Sequence, residues 1–159
     1  MKLKNVIALS LLGICGETII SSANISYVYA TKDKYASINK EITDTLQQNK
    51  GWATGKLDEN GSSTDSGTPN DAFNWANYIT NIKYTGKTKI EISVTNDFKS
   101  LDSDTKKDTI SQAENSAAAI LLDHKKVNDD DLIKGLNVKI LCHHVLIGTS
   151  TGHHTYSFH

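Results

Sequence analysis

Apolar residues recur at three- and four-residue steps early in the chain, at Tyr35, Ile38, Ile42 and Leu46, with Lys, Asp, Glu and Gln between them. That period is the stripe of an amphipathic helix, predicted over residues 33–49, and Gly51 is expected to stop it. The pattern then disappears. Residues 55–71 (GKLDENGSSTDSGTPND) are rich in Gly, Ser, Asp and Asn and hold the only proline, Pro69, so they read as a long polar loop. Trp52 and Trp75 flank it and are expected to anchor its ends to the core.

Strict alternation follows. Asn77–Tyr84 and Thr88–Asn96 read as strands joined at Thr85-Gly86-Lys87. A three-residue loop sets Tyr84 opposite Thr88, Ile82 opposite Ile90 and Tyr78 opposite Val94, so the apolar sets share one face. A two-residue loop would instead set Ile82 against Glu91. Asp102-Ser103-Asp104 is an acidic helix start. Ile110, Ala113, Ala117, Ile120 and Leu121 form the stripe of this second helix, and Lys125-Lys126 end it. Asp129-Asp130-Asp131 ahead of Gly135 reads as a short, capped turn of helix rather than a calcium site.

The tail alternates again. Leu136–Cys142, Val145–Ser150 and His153–His159 read as a three-stranded meander with Cys142 opposite Val145, Ile140 opposite Ile147, Val138 opposite Thr149, Ile147 opposite Tyr156 and Val145 opposite Phe158. One face then collects Val138, Ile140, Cys142, Val145, Ile147, Tyr156 and Phe158. The weak link is the turn at His143-His144, because a two-residue hairpin turn needs positive φ. The element order α-β-β-α-β-β-β predicts an α+β fold: one antiparallel sheet of about five strands with two helices on one face.

The N-terminus changes what counts as the mature protein. Lys2 and Lys4 precede the apolar run Val6–Cys15, which is too short to span a bilayer, and Ser21-Ser22-Ala23 and Val28-Tyr29-Ala30 both offer small residues where cleavage needs them. Residues 1–30 read as a signal peptide cut after Ala30, with Ala23 as the alternative, leaving residues 31–159 as one domain. Lipid modification at Cys15 is disfavoured by the bulky Ile14 before it. The mature chain has no transmembrane segment and is expected to be a monomer.

All 17 basic residues are lysine, against 18 acids, for a net charge of −1. That balance argues against nucleic acid, which calls for a concentrated basic face, usually with arginine. The absence of arginine beside abundant Lys, Asn and Ile suggests an AT-rich genome, and with the signal peptide an exported protein of a Gram-positive bacterium. Cys142 is left without a disulfide partner.

Every histidine except His124 lies in the last 17 positions. The meander separates them: His143, His144 and His159 lie near one end and His153 and His154 near the other, roughly 20 Å away at about 3.3 Å per residue. The candidate metal ligands are therefore His143, His144 and His159, with Cys142 beside them, offered to zinc or copper at about 2 Å. Exposed polar residues on strand ends are the alternative. Gly148-Thr149-Ser150-Thr151-Gly152 matches a nucleophile elbow, but strand signals follow it and no acid comes after Ser150. Cys142 falls on the apolar face, where burial suppresses the thiolate. Asp58-Glu59-Asn60-Gly61-Ser62 spaces oxygen donors like a calcium loop, yet Ser63 and Pro69 stand where that loop needs Gly and Glu.

No catalytic constellation survives its structural setting. The leading expectation is a non-catalytic exported domain, secreted or at the cell surface, that binds a protein or an envelope component without a cofactor. One alternative is a metal-binding protein using the tail histidines. Another is an enzyme whose carboxylates meet only in three dimensions, with Asp58, Glu59, Asp65 and Asp71 as first suspects.

Overall fold

A computed structural model describes residues 34–150 and 152–159. The expected signal peptide, its cleavage points and Cys15 lie outside the described residues. The element order is α1 (Ala36–Ala53), a 3-10 helix (Asp71–Tyr78), β1 (Ile79–Gly86), β2 (Lys89–Val94), a second 3-10 helix (Asp97–Ser100), α2 (Ser103–Asp123), α3 (Asp129–Lys134), β3 (Asn137–Cys142), β4 (Val145–Ser150) and β5 (Tyr156–Phe158). The fold is α+β, with one five-stranded sheet in the order β1-β2-β3-β4-β5.

The helices bury the residues their periodicity selects. Ile38, Ile42 and Leu46 of α1 and Ile110, Ala113, Ala117, Ile120 and Leu121 of α2 join Ile82, Ile90, Ile92 and Ile140 of the strands in one hydrophobic cluster. Small alanines on α2 let its backbone approach closely, and Asp102 caps it by accepting from the amides of Asp104 and Thr105. His124 at the end of α2 meets Glu41 of α1 at 2.6 Å, joining the two helices. Among the described residues no helix is long and apolar enough to cross a membrane.

Gly51 does not stop α1. The helix runs through it to Ala53, because the missing side chain is where Leu57 returns: a Cβ there would lie 2.5 Å from Leu57 Cδ1. The stop comes at Gly55, whose φ is +66°. Asn77 and Tyr78, expected in the first strand, instead end a 3-10 helix that Asn70 caps through the amide of Ala72.

The first hairpin keeps the predicted faces and changes the register. Ile82 pairs with Ile92 and Tyr84 with Ile90, a slip of two residues, which preserves parity. The turn itself is Lys87-Thr88, and a bulge between Tyr84 and Gly86 supplies the odd residue that the parity requires.

The sheet is mixed rather than wholly antiparallel. β2 and β3 run parallel, with Ile90 beside Val138 and Ile92 beside Ile140. The reason is connectivity: α2 and α3 carry the chain back between them, as a parallel pair requires.

The tail meander forms between the expected strands but does not keep the expected faces. Cys142 pairs with Val145, and then a bulge displaces Ile147, so that Ile140 meets Gly148 and Lys139 meets Thr149. Phe158 likewise pairs with Gly148 and Tyr156 with Ser150, not with Val145 and Ile147. Crowding accounts for this. A Cβ at Gly148 would stand 2.7 Å from the Ser157 carbonyl oxygen and 3.0 Å from Phe158 Cδ1, so glycine alone fits at that inward position. Ile147 is consequently half-buried, and Val145 and Leu146 are 63% and 47% exposed.

Candidate functional site

The expected metal ligands divide between a turn and a terminus. His143 and His144 form the β3–β4 turn and both adopt positive φ, +48° and +66°, which is the geometry that turn demands. His159 follows β5, and its amide donates to the carbonyl of Ile147 at 2.9 Å. Among the described residues no group of three or more His, Cys, Asp or Glu side chains is arranged to hold a metal ion. Cys142 is 1% exposed, and its thiol faces the Thr95 carbonyl at 3.8 Å and Asn96 Oδ1 at 3.6 Å. The Ser150 hydroxyl donates to the Leu136 carbonyl and accepts from the Val138 amide, both at 2.9 Å, so it is occupied in the sheet.

The polar loop is ordered by its own hydrogen bonds. Its neck is formed by Gly55 and Gly67, whose backbones touch: a Cβ on Gly67 would lie 2.2 Å from the Gly55 carbonyl oxygen. Only residues without side chains allow that approach. Inside the neck, Leu57 bridges Ser63, and Asp58 Oδ1 accepts from the amides of Asn60 and Ser62 at 2.9 and 2.8 Å. Trp52 fixes the loop from the helix side: its indole N–H donates to the Asp58 carbonyl at 2.9 Å, and its ring stands 4.9 Å from that of Phe73. Trp75 is buried in the core. Trp52 therefore holds the loop directly, while Trp75 packs into the core beyond its other end.

This frame opens a surface cleft of about 740 Å³ between Leu57–Asn60 and Gly67–Asp71. A smaller recess of about 280 Å³ adjoins it beside Trp52 and Phe73. Of the four suspect carboxylates, Asp58, Glu59 and Asp71 line the cleft and Asp65 does not. Two of the three have structural tasks, since Asp58 turns the loop and Asp71 Oδ1 accepts from the Asn74 amide group at 2.8 Å.

A second polar centre escaped the reading of the sequence. Glu114, on α2, is 1% exposed and is the one charged residue among the described buried side chains. Its Oε1 accepts from the Leu136 amide at 2.6 Å and its Oε2 from the Tyr156 hydroxyl at 2.5 Å. His154 Nδ1 stands 3.3 Å from Oε1. Burial, then the hydrogen bond and charge of Glu114, push the Tyr156 phenol well above the usual tyrosine range. The signal was present: Glu114 lies four residues after Ile110 and three before Ala117, within the apolar stripe.

Comparison with known proteins finds no matching family model, no similar curated protein and no similar solved structure.

Proposed function

We propose that this chain is an exported, non-catalytic binding module, secreted or held at the cell surface, which presents its 55–71 loop to a protein or an envelope component. The observation that carries this reading is the closed neck at Gly55 and Gly67. A polar segment of this length cannot bury a core of its own, so its order comes from hydrogen bonds and from Trp52. Fixing it in advance removes the entropy that a mobile loop would lose on binding. Long ordered loops on a rigid scaffold are where recognition residues concentrate. The charge balance and the absence of arginine favour a partner other than nucleic acid.

Export is tested by recovering the protein from culture medium and sequencing its N-terminus, expected at Thr31 or, with the alternative cleavage, Asn24. Retention of Met1 in the cytoplasm would overturn it. The loop is tested by excising residues 56–66, which joins two points already in contact. Cell-wall, membrane and extracellular fractions are passed over the parent and the shortened protein. A retained component that the shortened protein loses is the expected result, and equal recovery by both removes the loop as the contact surface.

A further inference from the structure

Beside Glu114 lies a recess of about 300 Å³, away from the loop and lined by Ala118, Ala119 and Leu122 of α2, Leu132 of α3 and His154. This volume is near the lower end for small-molecule pockets, about 300–1,000 Å³. Apart from Asn115 and His154 its walls are aliphatic, and the buried Glu114 is part of its lining. Burying that charge is unfavourable unless donors surround it. Two of its donors are firm, the Leu136 amide and the Tyr156 hydroxyl, and both are fixed in strands or their approaches.

The third is not. His154 Nδ1 reaches Oε1 only at 3.3 Å, and the imidazole is 38% exposed. His153 and His154 both hold positive φ, +48° and +54°, a conformation unfavourable for a residue with a side chain. Gly135 makes room for this turn, since a Cβ there would lie 3.0 Å from the His154 amide nitrogen and 3.4 Å from Glu114 Oε1. A carboxylate oxygen with two lone pairs thus has one strong donor and one long, exposed one. Of the three donors, only His154 also lines the recess.

We propose that the Glu114 recess is a binding site for a small alkylammonium group, with the cationic head on the carboxylate and the aliphatic chain between Ala118, Ala119, Leu122 and Leu132, and that His154 holds the head's place in the free protein. An ammonium brings three donors and a full charge to a carboxylate that has no lysine or arginine partner among the described residues. An anion or a neutral alcohol of the same length gains neither.

The test is a titration of the protein with n-butylammonium, n-butyrate and n-butanol, followed by amide shifts at Leu136, Ala118 and Ala119. Saturable shifts with butylammonium, at least ten-fold weaker with the other two, are expected. Glu114→Gln should weaken butylammonium binding at least ten-fold. Because that variant removes a buried tie and could unfold the chain, His154→Ala is the second arm. Removing the competitor should tighten butylammonium binding several-fold. No saturable shift, equal response to butyrate, or binding that is unchanged or weakened in His154→Ala overturns the site.

Discussion

Tyr156 donates its hydroxyl to Glu114 Oε2 at 2.5 Å and ties the last strand to the middle of α2. Tyr156 is 5% exposed and Glu114 1%, so water has little access to either partner. Tyr156→Phe keeps the ring and removes the donor, leaving Oε2 buried without its partner. The expected loss is about 1–3 kcal/mol. It is read as a lower urea midpoint at unchanged slope, and an unchanged midpoint would show that the tie is dispensable.

The same residue sets an alkaline limit. Burial and Glu114 raise the Tyr156 phenol above its ordinary value of 10.0, so the folded chain keeps a proton that the unfolded chain releases. The contribution of Tyr156 to stability is therefore full below about pH 10 and falls as pH rises further. Urea midpoints measured at increasing pH from neutrality should drop above that point. In Tyr156→Phe the drop should be shallower, since one group responsible for it is gone.

Asn39 shields the free edge of the sheet. Its side chain, on α1, accepts from the Tyr84 amide at 2.7 Å and donates to the Tyr84 carbonyl at 3.1 Å, standing in for a neighbouring strand. Asn39→Ala exposes that pair and removes two hydrogen bonds. A loss of about 1–3 kcal/mol follows, with increased self-association because an unpaired edge is a template for other chains. Denaturant melts combined with light scattering measure both effects.

Gly51 reverses the usual expectation for a helical glycine. Replacement by alanine inside a helix ordinarily stabilises by about 0.5–1 kcal/mol. Here the new Cβ would meet Leu57 at 2.5 Å and push the loop away from Trp52. Gly51→Ala should lower the melting temperature, and adding Leu57→Ala should make the alanine at 51 less costly. A double-mutant cycle by thermal melting measures this coupling.

Local periodicity made the elements legible, and contacts between distant segments decided what it missed. Ile38, Ile42 and Leu46 of α1 and Ile110 and Leu121 of α2 are buried as their spacing implies. The parallel pairing of β2 with β3 joins segments more than forty residues apart, and no alternation within either strand distinguishes it from an antiparallel pair. The bulge at Ile147 arises because Phe158 and Ile140 crowd Gly148, a condition set by three strands together. Gly51 read as a stop for want of Leu57 beside it. Glu114 was visible as a carboxylate within an apolar stripe, but its donors come from β5 and the approach to β3.

The two histidine doublets share a backbone conformation and should respond differently to the same substitution. His143 and His144, at φ +48° and +66°, form a two-residue hairpin turn that Asn-Gly adopts with less strain. Replacing them with Asn-Gly should stabilise the protein by about 1 kcal/mol, after the added chain entropy of glycine in the unfolded state offsets part of the relief. His153 and His154 carry the same positive φ, but the His153 ring nitrogen Nδ1 lies 3.2 Å from the Ile133 carbonyl and His154 stands over Glu114. Asn-Gly at 153 and 154 removes both imidazoles, so the relieved strain is offset by lost contacts and no gain is expected. Urea midpoints of the two double variants against the parent decide the comparison, and equal gains would show that the second doublet holds nothing in place.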